Sequence, residues 1–153
     1  MKRVKIITVG KVKKSYWSEA IAHYEKVLRP MLRIEAIIVK DCPQFEEEER
    51  KRKESERLLQ KLGPRDRPIA LHEEGALFTS VEFARFLQPM LESPDQTCCF
   101  VIGGAHGLSP EFLERAERFS LSPLTMPHEL AQAVLYEQLF RAMTILRNRT
   151  YHY

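Results

Sequence analysis

Residues 98–102, Cys-Cys-Phe-Val-Ile, are apolar without a break and lead directly into Gly103, Gly104 and Gly107, three of the six glycines in the chain. Successive side chains of a strand point to opposite faces, so a short run that is apolar at every position suits a strand buried on both sides. Ser109-Pro110 follows the glycines, a favoured helix N-cap with the proline favoured at the first helical position. The chain therefore leaves a doubly buried strand through bare backbone and enters a helix. Covering such a strand takes helices on two faces, which points to an α/β fold.

The remaining segments agree. Val4 to Val9 reads as a strand ended by Gly10, and Ala20, Ile21, Tyr24, Val27 and Leu28 mark an amphipathic helix from Trp17 that Pro30 closes. Ile34 to Val39 reads as a second strand, a charged helix follows over about residues 45–62 until Gly63-Pro64 breaks it, and Pro68 to Leu71 reads as a short third strand. Thr79 and Glu82 form a capping box that opens a helix to about Leu91. The last helix, Leu130 to Leu146, is entered through Pro127. Strands alternating with helices predict a largely parallel sheet in a single domain over residues 1–153, with ligands beyond the carboxyl ends of the strands.

Composition, at 44% hydrophobic and 29% charged residues, excludes a disordered chain. No stretch approaches the ~20 apolar residues of a membrane span, and the basic N-terminus has no cleavage-site pattern, so a cytoplasmic protein is expected. Cys42, Cys98 and Cys99 lack C-x-x-C spacing and read as buried thiols. Residues 1–14 hold six basic side chains and no acid, residues 141–153 hold three and no acid, and the middle holds 15 basic against 21 acidic. That asymmetry points to a polyanion near the termini. The run EEEERKRK at 46–53 places each of Glu46 to Glu49 four residues before an Arg or Lys, as in a solvated helix.

The glycines do not fit two common ligand loops. A dinucleotide fingerprint would require glycine at position 102, which is Ile, and a phosphate-cradling loop would require Lys after Gly107, where Leu108 stands. The last helix is apolar on nearly every face, with Leu130, Val134, Leu135, Tyr136, Leu139, Phe140, Met143 and Leu146, so a homodimer is expected to cover it. Glu137 and Arg141, four apart, place a charged pair in that apolar setting.

IGGAHGLSP, SLSPLTMPH, EQLFRAMTI, the terminal YH and the opening ITVGKVKKSYWSEAIAHYEKVL together resemble the RlmH family of bacterial large-subunit (23S) rRNA pseudouridine methyltransferases, in the SPOUT superfamily. The resemblance implies a SPOUT-type α/β parallel-sheet domain with a C-terminal trefoil knot, a homodimer, and S-adenosyl-L-methionine held by the knot loops. Carried over by position, it implies cofactor contacts at Leu71, Gly103, Gly104, Leu121, Ser122, Pro123, Leu124, Thr125 and Met126. The family commonly has Arg where this chain has Gln132, and ends YHR or YHK where this one ends Tyr151, His152, Tyr153.

The implied reaction is methyl transfer to the ring nitrogen at position 3 of a pseudouridine, in large-subunit rRNA and on assembled ribosomes. That imide nitrogen must lose a proton, so a base or a stabilising cation is required. Arg141 is the expected group for orienting or stabilising the target base, with Glu137 holding it, and His128 and His152 are the candidate proton acceptors. The chemistry needs no metal, and the five histidines show no ligand spacing. The rival reading is a non-catalytic RNA-binding factor that uses the basic termini.

Overall fold

The computed structural model describes residues 2–151. Its elements in order are β1 (Arg3–Val9), α1 (Ser15–Leu28), β2 (Arg33–Val39), α2 (Glu47–Gln60), β3 (Asp66–Leu77), α3 (Ser80–Glu92), β4 (Thr97–Ile102), α4 (Pro110–Glu114), β5 (Glu117–Ser120) and α5 (His128–Leu146). The sheet is parallel throughout, with strand order β2-β1-β4-β3-β5.

The apolar run lies at the centre. Cys98, Phe100 and Ile102 join the core beneath α1, α3 and α5, while Cys99 and Val101 join the opposite core with Leu58 of α2 and Phe112 of α4. Phe83 stacks on Phe119 at 4.8 Å between ring centres, closing the first layer over β4 and β5. All three cysteines are buried and free, and burial raises the Cys99 thiol to about 12. Thr79 accepts from the Glu82 N–H while Glu82 accepts from the Thr79 N–H, the capping box expected for α3.

Three segments differ from the expectations. The third strand runs 12 residues instead of four, because β3 continues past Leu71 through a register shift and pairs Ala76 and Leu77 with β5. β5 itself has no counterpart in the sequence reading: it is four residues long, and only Phe119 and Ser120 are buried. The pairs of α2 also differ, since Arg50 turns to Glu54 and Asp41, Arg52 turns to Glu49 and Glu56, and Lys51 to Glu48.

α5 packs on α1 and α3 within one chain and buries Ala133, Leu135, Tyr136, Leu139, Ala142 and Met143. Much of its apolar content is thus covered without a second copy, leaving Leu130, Val134, Phe140 and Leu146 half-buried. Among the described residues no helix is long and apolar enough to cross a membrane.

The amino end of the sheet is held by a buried ion pair. Lys5 Nζ of β1 donates to Asp66 Oδ2 at 2.6 Å and to the Lys61 carbonyl at 2.7 Å, and Asp66 also accepts from the Gly63 N–H. Removing one partner of such a pair leaves an uncompensated buried charge. Lys5→Met is expected to cost about 3–5 kcal/mol and to lower Tm by roughly 10 °C in calorimetry; a change under about 2 °C would show the pair to be neutral.

Candidate functional site

A cleft of about 700 Å³ opens at the carboxyl end of β4 and beside Leu71 to Glu73, where β3 shifts register. Leu71, His72 and Glu73 form one wall, the β4–α4 loop from Ile102 to Leu108 a second, and residues 121–128 a third, with Lys51 of α2 and Ala131 of α5 at its margin.

The glycine loop folds back on itself. Gly104 and Gly107 form an isolated bridge, the Gly107 N–H donates to the Gly104 carbonyl at 3.0 Å, and Gly107 has φ +83°, a conformation that favours glycine. A Cβ at Gly103 would lie 2.8 Å from the Gly107 carbonyl carbon, and one at Gly104 would lie 2.8 Å from Glu54 Oε1 and 3.2 Å from Val9 Cγ1. The Gly107 backbone therefore requires glycine at position 103, and the Glu54 carboxylate and Val9 crowd position 104, the two positions at which the resemblance implies cofactor contacts. Gly107 turns the chain into α4, whose N-cap Ser109 accepts from the Phe112 N–H.

The third wall carries the chain from the edge strand β5, past Leu71 to Glu73 of β3 and the β4–α4 loop, to α5. Ser122 Oγ accepts from the Leu124 N–H at 3.0 Å and shapes the turn, and Leu124 is 74% exposed at the cleft mouth. Glu129, in the first turn of α5, accepts from the Lys13 and Lys14 N–H groups at 3.1 Å, so the β1–α1 turn latches the helix where it leaves the cleft.

Of the expected site residues, Leu71, Gly103, Gly104, Leu121, Ser122, Leu124, Thr125, Met126 and His128 line this cleft; Pro123 lies within the same turn but is not a wall residue. His72, His106 and Lys51 also line it and were missed by sequence reasoning, although His72 follows the strand end and His106 sits among the glycines. His72 Nδ1 accepts from the Glu74 N–H at 3.1 Å, which leaves the proton of the neutral ring on Nε2 and makes that nitrogen a donor. Among the described residues no group of three or more His, Cys, Asp or Glu side chains could hold a metal ion.

Glu137 and Arg141 do not reach this cleft in one chain. Arg141 lies about 20 Å further along α5 than His128. Its Nε donates to Glu137 Oε1 at 3.1 Å, and its guanidinium sits 4.9 Å from the centre of the Tyr151 ring. The hydrogen bond to Glu137 raises the Arg141 pKa, so the group is a permanent cation. Tyr151 donates to the same carboxylate at 3.2 Å, and burial, with its hydrogen bond to Tyr24, pushes its phenol up to about 12. His152 lies outside the described residues.

The basic ends meet only in part within the chain: Lys2, whose carbonyl accepts from the Arg33 N–H, lies near Met31 and so near Arg147, whereas the lysines of the β1–α1 turn lie apart from it. Lys13 and Lys14 adjoin the start of α5, whereas Arg147, just past its end, donates to the Met31 carbonyl. A 19-residue helix, about 28 Å long, separates them.

Residues 1–152 match the family described as "Predicted SPOUT methyltransferase". Over the full length of both chains, the sequence is 41% identical to "Ribosomal RNA large subunit methyltransferase H" of Oleidesulfovibrio alaskensis and 43% identical to the protein of that name from Nitratidesulfovibrio vulgaris strain Miyazaki F. Among solved structures, a probable methyltransferase from Bordetella pertussis shares the fold at a TM-score of 0.56 and 16% identity, covering 93% of this chain and 94% of that one. A probable methylase family protein from Haemophilus influenzae does so at 0.53 and 14%, covering 99% and 70%.

Because a Cβ at position 103 would meet backbone, Gly103→Ala must displace the loop. It is expected to cost roughly 1–3 kcal/mol of stability and to weaken ligand binding at the cleft together. Calorimetry and titration of the same preparation test this; lost binding at unchanged stability would return the glycine to a role in ligand contact alone.

Proposed function

The chain belongs to the SPOUT methyltransferase family, and from that membership we propose that it methylates the ring nitrogen at position 3 of a pseudouridine in large-subunit (23S) ribosomal RNA, as a cytoplasmic homodimer acting on assembled ribosomal particles. It is a methyltransferase that uses S-adenosyl-L-methionine. The observation that carries the substrate is full-length identity above 40% to two ribosomal RNA large subunit methyltransferases.

The cleft fits the cofactor. Its volume of about 700 Å³ falls in the range of roughly 300–1,000 Å³ usual for small-molecule sites. Leu71, Leu121, Leu124 and Met126 offer apolar surface for a flat heterocycle, and the peptide groups at Gly103, Gly104, Ser122 and Thr125 offer donors and acceptors for its edge. Pro123 holds the turn between them. When bound, the cofactor supplies a methyl group on a sulfonium to the attacking ring nitrogen. The trefoil knot belongs to this reading, supported by the position of residues 121–127 beside Leu71 to Glu73 and the β4–α4 loop.

The chain's part is to bind, to orient and to manage one proton. His128 lines the cleft, as His72 and His106 do, and its position there supports it as the group that takes the imide proton. Arg141, a cation held by Glu137, would stabilise the resulting anion, and since it does not line the cleft of its own chain, that role requires the cleft of a second copy. The half-buried Leu130, Val134 and Phe140 on α5 support such a dimer. The described residues build a single five-stranded sheet with its helices, which supports selectivity through a surface that the substrate already presents.

Isothermal titration with S-adenosyl-L-methionine and radiolabelled methyl transfer test the reading. Ribosomes or large subunits carrying the pseudouridine should be methylated far faster than protein-free rRNA at equal concentration; equal rates would mean that the chain reads sequence itself. Arg141→Ala should lower turnover about 100-fold or more while cofactor affinity stays within twofold. Coexpressed Arg141→Ala and Gly103→Ala chains should regain about a quarter of wild-type activity, since half of the dimers are mixed and one of their two sites is whole. No recovery would place Arg141 outside the partner's cleft.

A further inference from the structure

Helix α2 reads as a solvated surface helix, yet two adjacent residues of it are buried and polar: Glu54 and Ser55 are each 1% exposed. Both reach the glycine loop. Glu54 Oε2 accepts from the Cys42 N–H at 2.9 Å and from Arg50 Nε at 3.0 Å, while its other oxygen, Oε1, is buried with no donor among the described residues and stands where a Cβ at Gly104 would meet it at 2.8 Å. Ser55 Oγ accepts from the Ser109 N–H at 2.9 Å, at the far end of the same loop.

Burying a carboxylate with one oxygen unserved is costly. Nothing in sheet packing requires it, since an apolar side chain would cover Val9 equally well. What Glu54 does that an apolar residue would not is set a hydrogen-bonded stop behind Gly104. That stop is anchored through Cys42 to the loop after β2 and through Arg50 to its own helix. We infer that Glu54, assisted by Ser55, is the positioning residue of the cofactor loop: the pair grips residues 104 and 109 from behind the cleft and holds the peptide groups between them in the arrangement that binds the cofactor. Arg50 is part of the device, since its further contact with Asp41 at 3.8 Å keeps it turned toward Glu54.

The inference rests on the proposed reading of the cleft as the S-adenosyl-L-methionine site, and its test separates the two. Full-length wild type, Glu54→Gln, Glu54→Ala and Ser55→Ala are titrated with S-adenosyl-L-methionine, and amide exchange is followed over residues 103–109. Lys5→Met serves as a destabilised control whose lesion lies at the other end of the sheet. Glu54→Ala orphans the Cys42 N–H and removes the stop, so affinity should fall roughly tenfold or more and exchange in the loop should quicken. Glu54→Gln keeps the shape and an acceptor for Cys42 and should stay within about threefold of wild type. Turnover at saturating cofactor should hold within about threefold in both, so the loss appears in KM. If Glu54→Ala does not fold, Ser55→Ala carries the test, with the same quickened exchange and a smaller loss of affinity. Wild type that fails to bind the cofactor overturns the reading of the cleft. Wild type that binds, with the variants losing no more affinity than Lys5→Met does or with loop exchange unchanged, overturns the role of Glu54.

Discussion

Strand β4 has to be covered on two faces. Its side chains alternate between two apolar layers, and the helices take their sides from that demand: α1, α3 and α5 over Cys98, Phe100 and Ile102, α2 and α4 over Cys99 and Val101. A strand enclosed in this way can leave the sheet only at its ends, so the chain emerges at Ile102 into a loop that must turn at once. The glycines meet that demand, and the walls of the cleft follow from where the turn sends the chain. The site is thus a by-product of burying the centre of the sheet.

The cleft is built less by the loops that face it than by contacts behind them. Glu129 ties the start of α5 to the β1–α1 turn, Ser109 caps α4 while accepting support from Ser55, and Glu54 stands against Gly104. Each tether joins a loop at the carboxyl ends of the strands to an element far away in sequence. Such tethers restrict the number of arrangements open to exposed backbone, and preorganisation of that kind lets a small site hold its ligand without first ordering itself. The same logic applies to Arg141, whose guanidinium is fixed from two sides by Glu137 and the Tyr151 ring.

Charge on α2 shows how local pattern and tertiary role can part. The helix has the alternating signs of a solvated surface, and Arg52, Glu49 and Glu56 behave so. Within the same helix Arg50 and Glu54 turn inward and Lys51 reaches the cleft margin. A helix one face of which meets the sheet and another solvent must send some members of any charge run each way, and spacing at i,i+4 does not say which.

The strand–helix alternation, the turn at Gly10, the capping box at Thr79 and Glu82 and the N-cap at Ser109 were legible in the sequence because each is set by residues a few positions apart. The cleft residues Leu71, Gly103, Leu121 and Met126 came from a resemblance in motif. Periodicity could not have brought residues 18 to 55 positions apart in sequence to one place. β5 escaped notice because two of its four residues are charged and its pairing with β3, Ile69 to Leu71 against Glu117 to Phe119, joins segments far apart in sequence. The reason for the glycines was also hidden: bare backbone was readable, but the atoms that it avoids, Gly107 carbonyl and Glu54 carboxylate, are neighbours only after folding. By itself the sequence determined most of the strands, helices and turns, β5 and the second half of β3 excepted, since hydropathy period and capping act over one or two turns of chain. Tertiary structure alone decided which buried polar groups face the loop, that His72, His106 and Lys51 share its cleft and that Arg141 does not, because those distances depend on how whole layers stack across β4.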